Sequence, residues 1–368
     1  MIFACGYICA PMKKIILFIS VVALFDYNSF AQSTAINDSL ILSGEKHFKN
    51  VRQLTFGGDN AEAYWSFDSK KLTFQYTNHK NIQCDQIFFG GIPKNGKPFK
   101  TNCVSEGKGR TTCSYFMPGN KQILYASTRG KSDTCPPVPD REKIKKYVWP
   151  VYDSYEIYVS DLKGNIQKQL TQNNFYDAEA TISPRGDKII FTSDRSGDLE
   201  LYTMNLDGSD IKQITNELGY DGGAWFSPDG TKIVWRASRP KTEEEVAEYK
   251  QLLAQGLVAP TKMEVFVANA DGSDVHQVTN LPGANWAPSF TPDGTQIIFS
   301  SNYEYTRGFP FNLYLINVDG TGLERITFSE VFDAFAMFSP DGKKLVFCSN
   351  RHNGGGHDTN IFIADWVK

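Results

Sequence analysis

The strongest constraint on this chain is a four-residue turn that returns along its length. It reads Ser227-Pro228-Asp229-Gly230, Thr291-Pro292-Asp293-Gly294 and Ser339-Pro340-Asp341-Gly342. A weaker copy is Ser183-Pro184-Arg185-Gly186, and degraded ones are Met117-Pro118-Gly119-Asn120 and Phe67-Asp68-Ser69-Lys70. Proline presets φ at the second position of a type I turn, aspartate suits the third, and glycine closes the fourth without a Cβ. A β-branched and aromatic run follows each clear copy, as in Lys188-Ile189-Ile190-Phe191, Lys232-Ile233-Val234-Trp235 and Gln296-Ile297-Ile298-Phe299. Such runs read as strands. Copies spaced by about 45 residues make this a repeat protein.

Each repeat reads as four strands, A (innermost) to D. In the third repeat these are 179–183, 188–192, 199–204 and 211–215. Asp-Gly turns, which have the twist that hairpins need, join C to D at Asp207-Gly208, Asp271-Gly272 and Asp319-Gly320. Strand D ends in Gln213-Ile214-Thr215, Gln277-Val278-Thr279 and Arg325-Ile326-Thr327. A four-stranded unit of this length, stacked radially, is a propeller blade. One D-like signal, Arg52-Gln53-Leu54-Thr55, precedes any A strand, and the last repeat stops after its C strand at 360–365. The N-terminal segment is therefore expected to complete the last blade, which removes an exposed sheet edge. The expected fold is all-β: a single six-bladed β-propeller of four-stranded antiparallel blades over 45–368, its ring closed by an N-terminal strand, after a short segment 32–44.

Residues 1–31 read as a leader and signal peptide. Met12-Lys13-Lys14 is a basic start, 15–25 an apolar stretch of signal length, and Ser29-Phe30-Ala31 places small residues for cleavage before Gln32. The true start is read as Met12, and the mature protein as periplasmic or secreted, with no transmembrane anchor left after cleavage. A net charge of −3 argues against a nucleic-acid partner, which calls for a basic stripe. Export permits disulfides. Cys84 and Cys103 fall at the two ends of the first blade's C–D hairpin, and Cys113 and Cys135 at the start of strand A and in a long loop of the second. The expected bridges are Cys84–Cys103 and Cys113–Cys135, with Cys348 a buried thiol; five free cysteines are the alternative.

Antiparallel alternation sorts the loops onto two faces. A–B and C–D turns share one face and are short and generic. D–A and B–C loops share the other, and include insertions at 127–154 and 236–262, the second with a helix over 242–253. Function concentrates on individual loops above a rigid scaffold, so the site is expected at this mouth of the central channel. Arg110, Asp177, Glu179, Asp221, Trp286 and Asp333 are expected to line it as ligand-binding residues. Asp59, Glu62 and Lys108 belong to the same loops. The alternative for the acidic residues is that they cap turns and pair with neighbouring blades. Trp286 and Trp225 suit stacking on a sugar or peptide, or inter-blade core. His352, His357 and Asp358 share a glycine-rich loop without a strong metal-ligand spacing. No metal site and no cofactor are assigned, Ca²⁺ or another divalent ion at paired carboxylates being the alternative. Gly107-Lys108-Gly109-Arg110 lacks the phosphate-loop pattern, and no G-x-S-x-G elbow is present.

The pattern [ST]-P-D-G-x-x-[IL]-[VI]-[FW], followed by D-G-[ST] and [QR]-[IV]-T, resembles the propeller repeat of the TolB family, shared with the propellers of prolyl oligopeptidases and the tricorn protease. Gly107-Lys108-Gly109-Arg110, Cys135-Pro136-Pro137, Tyr147-Val148-Trp149-Pro150 and Tyr220-Asp221-Gly222-Gly223 look like a TolB-like bacterial group. The chain departs from TolB in lacking its N-terminal α/β domain and from the peptidases in lacking a hydrolase domain. The resemblance implies a cell-envelope protein. The function expected is binding of a protein or cell-envelope polymer through the D–A/B–C loop face, with catalytic residues unassigned. The alternative is a metal-assisted polysaccharide lyase or hydrolase with its site at the channel mouth.

Overall fold

The structure, a computed structural model, describes residues 33–305 and 308–368. The expected leader and cleavage site lie outside them. Six four-stranded antiparallel sheets follow the repeat, joined by one two-stranded ribbon. Their innermost A strands are Asp59–Trp65, Thr111–Phe116, Asp177–Ile182, Asp221–Phe226, Asn285–Phe290 and Asp333–Phe338. These strands define blades 1 to 6. The outer D strands of blades 3, 4 and 5 keep only two ladder residues each, Lys212–Gln213, His276–Gln277 and Glu324–Arg325. The core lies between blades: Ile182 and Phe191, for example, share a buried cluster with Val234 and Phe299.

The recurrent turn folds as its chemistry dictates. Gly230, Gly294 and Gly342 donate back to the carbonyls of Ser227, Thr291 and Ser339, each at 2.8 Å. The leading hydroxyl donates to the turn aspartate, Ser227 Oγ to Asp229 Oδ1 at 2.6 Å. Hydrogen bonds from Ser227 and Thr231 hold the Asp229 carboxyl down at about 2.

The terminal threonine of strand D has an equally local reason. Its hydroxyl receives the backbone N–H that opens the second residue of strand C: Ile157 to Thr171, Leu201 to Thr215, Val265 to Thr279 and Leu313 to Thr327, at 2.8–2.9 Å. Blade 6 repeats the bond with a threonine from the other end of the chain, Ile361 N to Thr55 Oγ1 at 2.9 Å. That threonine follows the closing strand Phe48–Gln53, which pairs antiparallel with Asn360–Trp366, Phe48 opposite Trp366 and Gln53 opposite Phe362. A buried ion triad reinforces the join. Arg351 reaches Glu45 of the N-terminal segment at 2.9 Å and Asp333 of strand A at 2.7 Å, and all three side chains are almost wholly excluded from solvent.

Both expected disulfides are corrected. Cys84 is bonded to Cys135, and Cys103, Cys113 and Cys348 are free. The blade 2 insertion folds back across the boundary with blade 1, where Gly109 N donates to Asp133 O at 2.9 Å. Cys84 lies at the same boundary, its sulfur 3.2 Å from the Gly109 carbonyl. Cys103 sits on an outer strand opposite Phe88, and Cys113 turns into the channel. Neither can follow the insertion. Cys348 is buried, as expected.

The two insertions clasp one another. Trp149–Pro150 pairs with Leu257–Val258 to form the two-stranded ribbon. The expected helix forms at Glu243–Leu253, with Thr242 and Glu245 making a reciprocal capping box. Its Tyr249 hydroxyl donates to Asp198 of blade 3 and so moors the clasp to the ring. Below the mouth the axis is filled. Trp225 of blade 4 meets Tyr64 of blade 1 at 4.7 Å and Tyr115 of blade 2 at 5.1 Å between ring centroids, both edge-on. Blades 1 and 4 stand opposite in a ring of six, so this contact crosses the axis. Trp225 is therefore core.

Two predictions follow from this architecture. Arg351→Ala leaves Glu45 and Asp333 buried without their cation, and the expected loss is about 3–5 kcal/mol in urea denaturation. An unchanged midpoint would show that the triad does not hold the ring closed. The second concerns the carboxyls that open strand C. Burial pushes Glu200 up to about 8 and Glu264 up to about 7. In the folded protein they keep protons that the unfolded chain has released. Their stabilising contribution is full below about 4.5 and declines as pH rises through 7 and 8. Glu200→Gln is expected to flatten the fall in denaturation midpoint between pH 5 and 8.

Candidate functional site

The site is built on a defect shared by all six inner strands. Each A strand has a buried polar residue in its first position or, in blade 1, its second: Asn60, Thr111, Asp177, Asp221, Asn285 or Asp333. Two residues later the pairing register with strand B shifts, and the backbone turns to positive φ. The residues there are Glu62 (54°), Cys113 (43°), Glu179 (57°), Gly223 (63°), Ala287 (48°) and Phe335 (56°). A bulge at this point re-aims one side chain per blade toward the axis. For a non-glycine residue such a conformation costs roughly 1–3 kcal/mol, and it persists because the ring over-determines it.

A cavity of about 1520 Å³ stands above this ring, on the face that carries the D–A and B–C loops. Glu62, Cys113, Glu179 and Phe335 belong to its floor, and none of the axial plug residues Tyr64, Tyr115 and Trp225 borders it. The pocket is blind below. Its upper walls come from the clasp and from the B–C loops of blades 5 and 6.

The six expected residues divide evenly. Arg110, Glu179 and Trp286 border the pocket. Arg110 is paired with Asp85 at 2.6 Å. Trp286 is sandwiched between Tyr147 of the clasp, with centroids 6.3 Å apart, and Phe311, at 4.5 Å, and its indole N–H donates to Pro260 O at 2.8 Å. It fastens the clasp to blade 5. The other three do not reach the pocket wall. Asp177, Asp221 and Asp333 are fully buried and receive Arg195, Arg239 and Arg351 at 2.8, 2.7 and 2.7 Å. Each arginine follows strand B of the same blade by two residues, so the aspartates close their own blades. Their pairing is structural, but it lies within one blade and not with a neighbouring blade as the alternative had it.

Glu179 is the most heavily held group on the floor. Its carboxylate accepts from Tyr220 Oη at 2.7 and 2.8 Å, Thr192 Oγ1 at 2.9 Å, Gly223 N at 2.9 Å and the Arg236 guanidinium. A Cβ at 223 would stand 2.1 Å from Arg236 Nη1, so the glycine leaves room for the guanidinium in its present place. Arg236 in turn lies under the Trp149 ring at 5.2 Å. Arg236, Trp149 and Tyr147 were outside the sequence-derived set. Arg236 has one signal, the glycine pair Gly222-Gly223 opposite it on strand A, which leaves space for a long side chain.

Glu62 differs from its neighbours. Its nearest protein donors are the Cys113 thiol and the Tyr64 hydroxyl, the latter at 3.5 Å. Burial raises its carboxyl, with Glu179 and Asp85 adding to the rise and Cys113 and Arg236 opposing it. Burial and the adjacent Glu62 carboxyl together push the Cys113 thiol well up, so it is held as a thiol and not as a nucleophilic thiolate.

The histidines are dispersed. His47 stacks on Trp366, His79 faces Asp59 at 3.3 Å, and His276 lies on an outer strand against Val318 O. Of the five, His357 alone borders the pocket. Among the described residues no three His, Cys, Asp or Glu side chains converge as metal ligands. No described helix is long and apolar enough to cross a membrane.

Comparison with known proteins concerns the fold. A structure described as TolB from Agrobacterium tumefaciens is 17% identical, with a TM-score of 0.52 over 84% of this chain and 91% of that one. TolB from Acinetobacter baumannii gives 17% and 0.50, and this chain spans 63% of its length. A gluconolactonase from Xanthomonas campestris gives 12% and 0.55, over 91% of this chain and 95% of that one. At such identities the likeness reaches the architecture and stops there. The sequence itself matches the TolB beta propeller domain twice, over residues 138–260 and 250–362. With more than half of its length matched and six blades of this repeat in the structure, the chain belongs to the TolB beta-propeller domain family.

Proposed function

We propose that the protein is an exported binding module that holds a protein segment or a cell-envelope polymer in the loop-face pocket. The blind cavity carries this reading. At about 1520 Å³ it exceeds the roughly 300–1,000 Å³ of a small-molecule site. Its lining mixes charged side chains with rings such as Tyr147, Trp149 and Phe332, the composition of a recognition surface. Phe309, 65% exposed, packs on Phe311 and Phe332 and extends this aromatic wall to the rim. Export is supported by the signal-like leader and by Cys84–Cys135, since such bridges persist in oxidising compartments. The metal-assisted alternative would gain from histidines that meet at the mouth; of the five, His357 alone borders the pocket.

The test is affinity capture from cell-envelope extract with the mature protein as bait, wild type beside Arg110→Ala/Phe309→Ala. A specific partner retained by the wild type and lost by the variant is expected. Equal retention by a variant with unchanged denaturation midpoint would move the binding site away from this pocket.

A further inference from the structure

The pocket has six acidic residues in its lining, and five are already neutralised. Asp85 is paired with Arg110, Glu179 with Arg236, Glu245 with Lys262, Glu248 with Lys146 and Glu304 with Arg325. Glu62 has no cationic partner among the described residues, and it stands on the floor, at the deepest ring of the cavity. The unpaired cations of the lining, Arg141 and Lys145, belong to the clasp at the other end. The pocket is therefore polarised, anionic at the base and cationic at the rim.

We propose that the floor of the pocket receives the α-ammonium of a peptide chain end, with Glu62 as its counter-charge. This rests on the reading of the pocket as a binding site and adds the chemistry of what enters it. Three observations favour it. The first is the axial plug of Tyr64, Tyr115 and Trp225, which stops the channel beneath Glu62. A polymer cannot thread past it, so only an end group or a side chain reaches the floor.

The second is the acceptor set. An ammonium brings three N–H donors and no acceptor. Tyr155 and Tyr176 border the same pocket. Both lie within electrostatic reach of the Cys113 thiol that touches Glu62. A carboxylate, which only accepts, complements such a donor set, and phenolic hydroxyls in the same lining are further acceptors. The burial that raises the Glu62 carboxyl is offset when a cation arrives, because opposite charge nearby favours the ionised form.

The third observation separates a peptide from a sugar. Stacking on a sugar needs a free ring face. Trp286 has both faces covered, by Tyr147 and Phe311, and Trp149 has Arg236 against one. The wall also offers an apolar cluster, in which Phe332 meets Phe309 and Phe335 in T-shaped contacts. A cluster of this kind forms apolar niches for side chains that follow a chain end. The cationic rim then faces residues further along, where an acidic side chain would pair with Arg141 or Lys145.

The experiment uses a bead library of lysine-free random hexapeptides with free α-amines, beside the same library N-acetylated, both screened with the mature protein. Selected sequences are resynthesised in both forms and titrated against wild type and Glu62→Gln. Free-amine peptides are expected to be selected, with affinity falling by about tenfold or more on acetylation, the scale of losing a hydrogen-bonded charge. Glu62→Gln should weaken the free-amine form by a similar factor and leave the acetylated form unchanged, at an unaltered denaturation midpoint. Equal selection from both libraries, or equal binding by Glu62→Gln, would overturn the assignment to an ammonium while leaving a binding pocket intact. No selection from either library would also overturn it, and envelope capture by the wild type would then point to a polymer that is not a peptide.

Discussion

The whole arrangement depends on one strand pairing between residues far apart in the chain, Phe48–Gln53 against Asn360–Trp366. A propeller stores its core between blades, so a blade with a missing neighbour exposes one apolar face. Closing the ring covers the last face, satisfies the last sheet edge and brings all six inner strands around one axis. The closing strand does this with the same devices as every other D strand, down to the threonine that receives the strand C amide. The Glu45–Arg351–Asp333 triad fastens the join, because opening it would leave buried charges without their partners.

Closure is also what creates the site. The inward bulge of strand A has no consequence in an isolated blade. Six bulges around one axis place Glu62, Cys113, Glu179 and Phe335 on a common floor. The protein then neutralises nearly all the charge it has gathered there, chiefly with arginines from the flanking strands and loops. What is left uncompensated is small and localised. Desolvation makes such a residual charge count, because an ion pair formed in a blind pocket is far less screened than one at an exposed surface.

The clasp serves rigidity as much as enclosure. A disulfide, a two-stranded ribbon, a helix moored through Tyr249 and the stacked Trp286 hold the two insertions to blades 1, 3 and 5. Long loops usually carry conformational freedom. Here they are fixed at several separated points, so the pocket is preformed and its walls need no further ordering.

By itself the sequence determined the repeat, the four strands of each blade, the face that carries the individual loops, the helix after Thr242 and the completion of blade 6 from the N-terminus. These are local facts. Period, turn chemistry and capping act between residues a few positions apart, and Ser227-Pro228-Asp229-Gly230 folds as it does for reasons contained within it. Only the tertiary structure decided which acidic residues border the pocket and which are sealed inside a blade. Asp177 and Glu179 are two residues apart in one loop-to-strand junction, yet one is sealed in its blade and the other stands in the pocket. The bulge between them sets that difference, and no residue type announces it, since Glu, Cys, Gly, Ala and Phe all occupy the bulged position. The disulfide partner of Cys84 was decided in the same way, by the path of a long insertion across a blade boundary. Burial, pairing and proximity of this kind join residues on different blades, and they come into being only when the ring has closed.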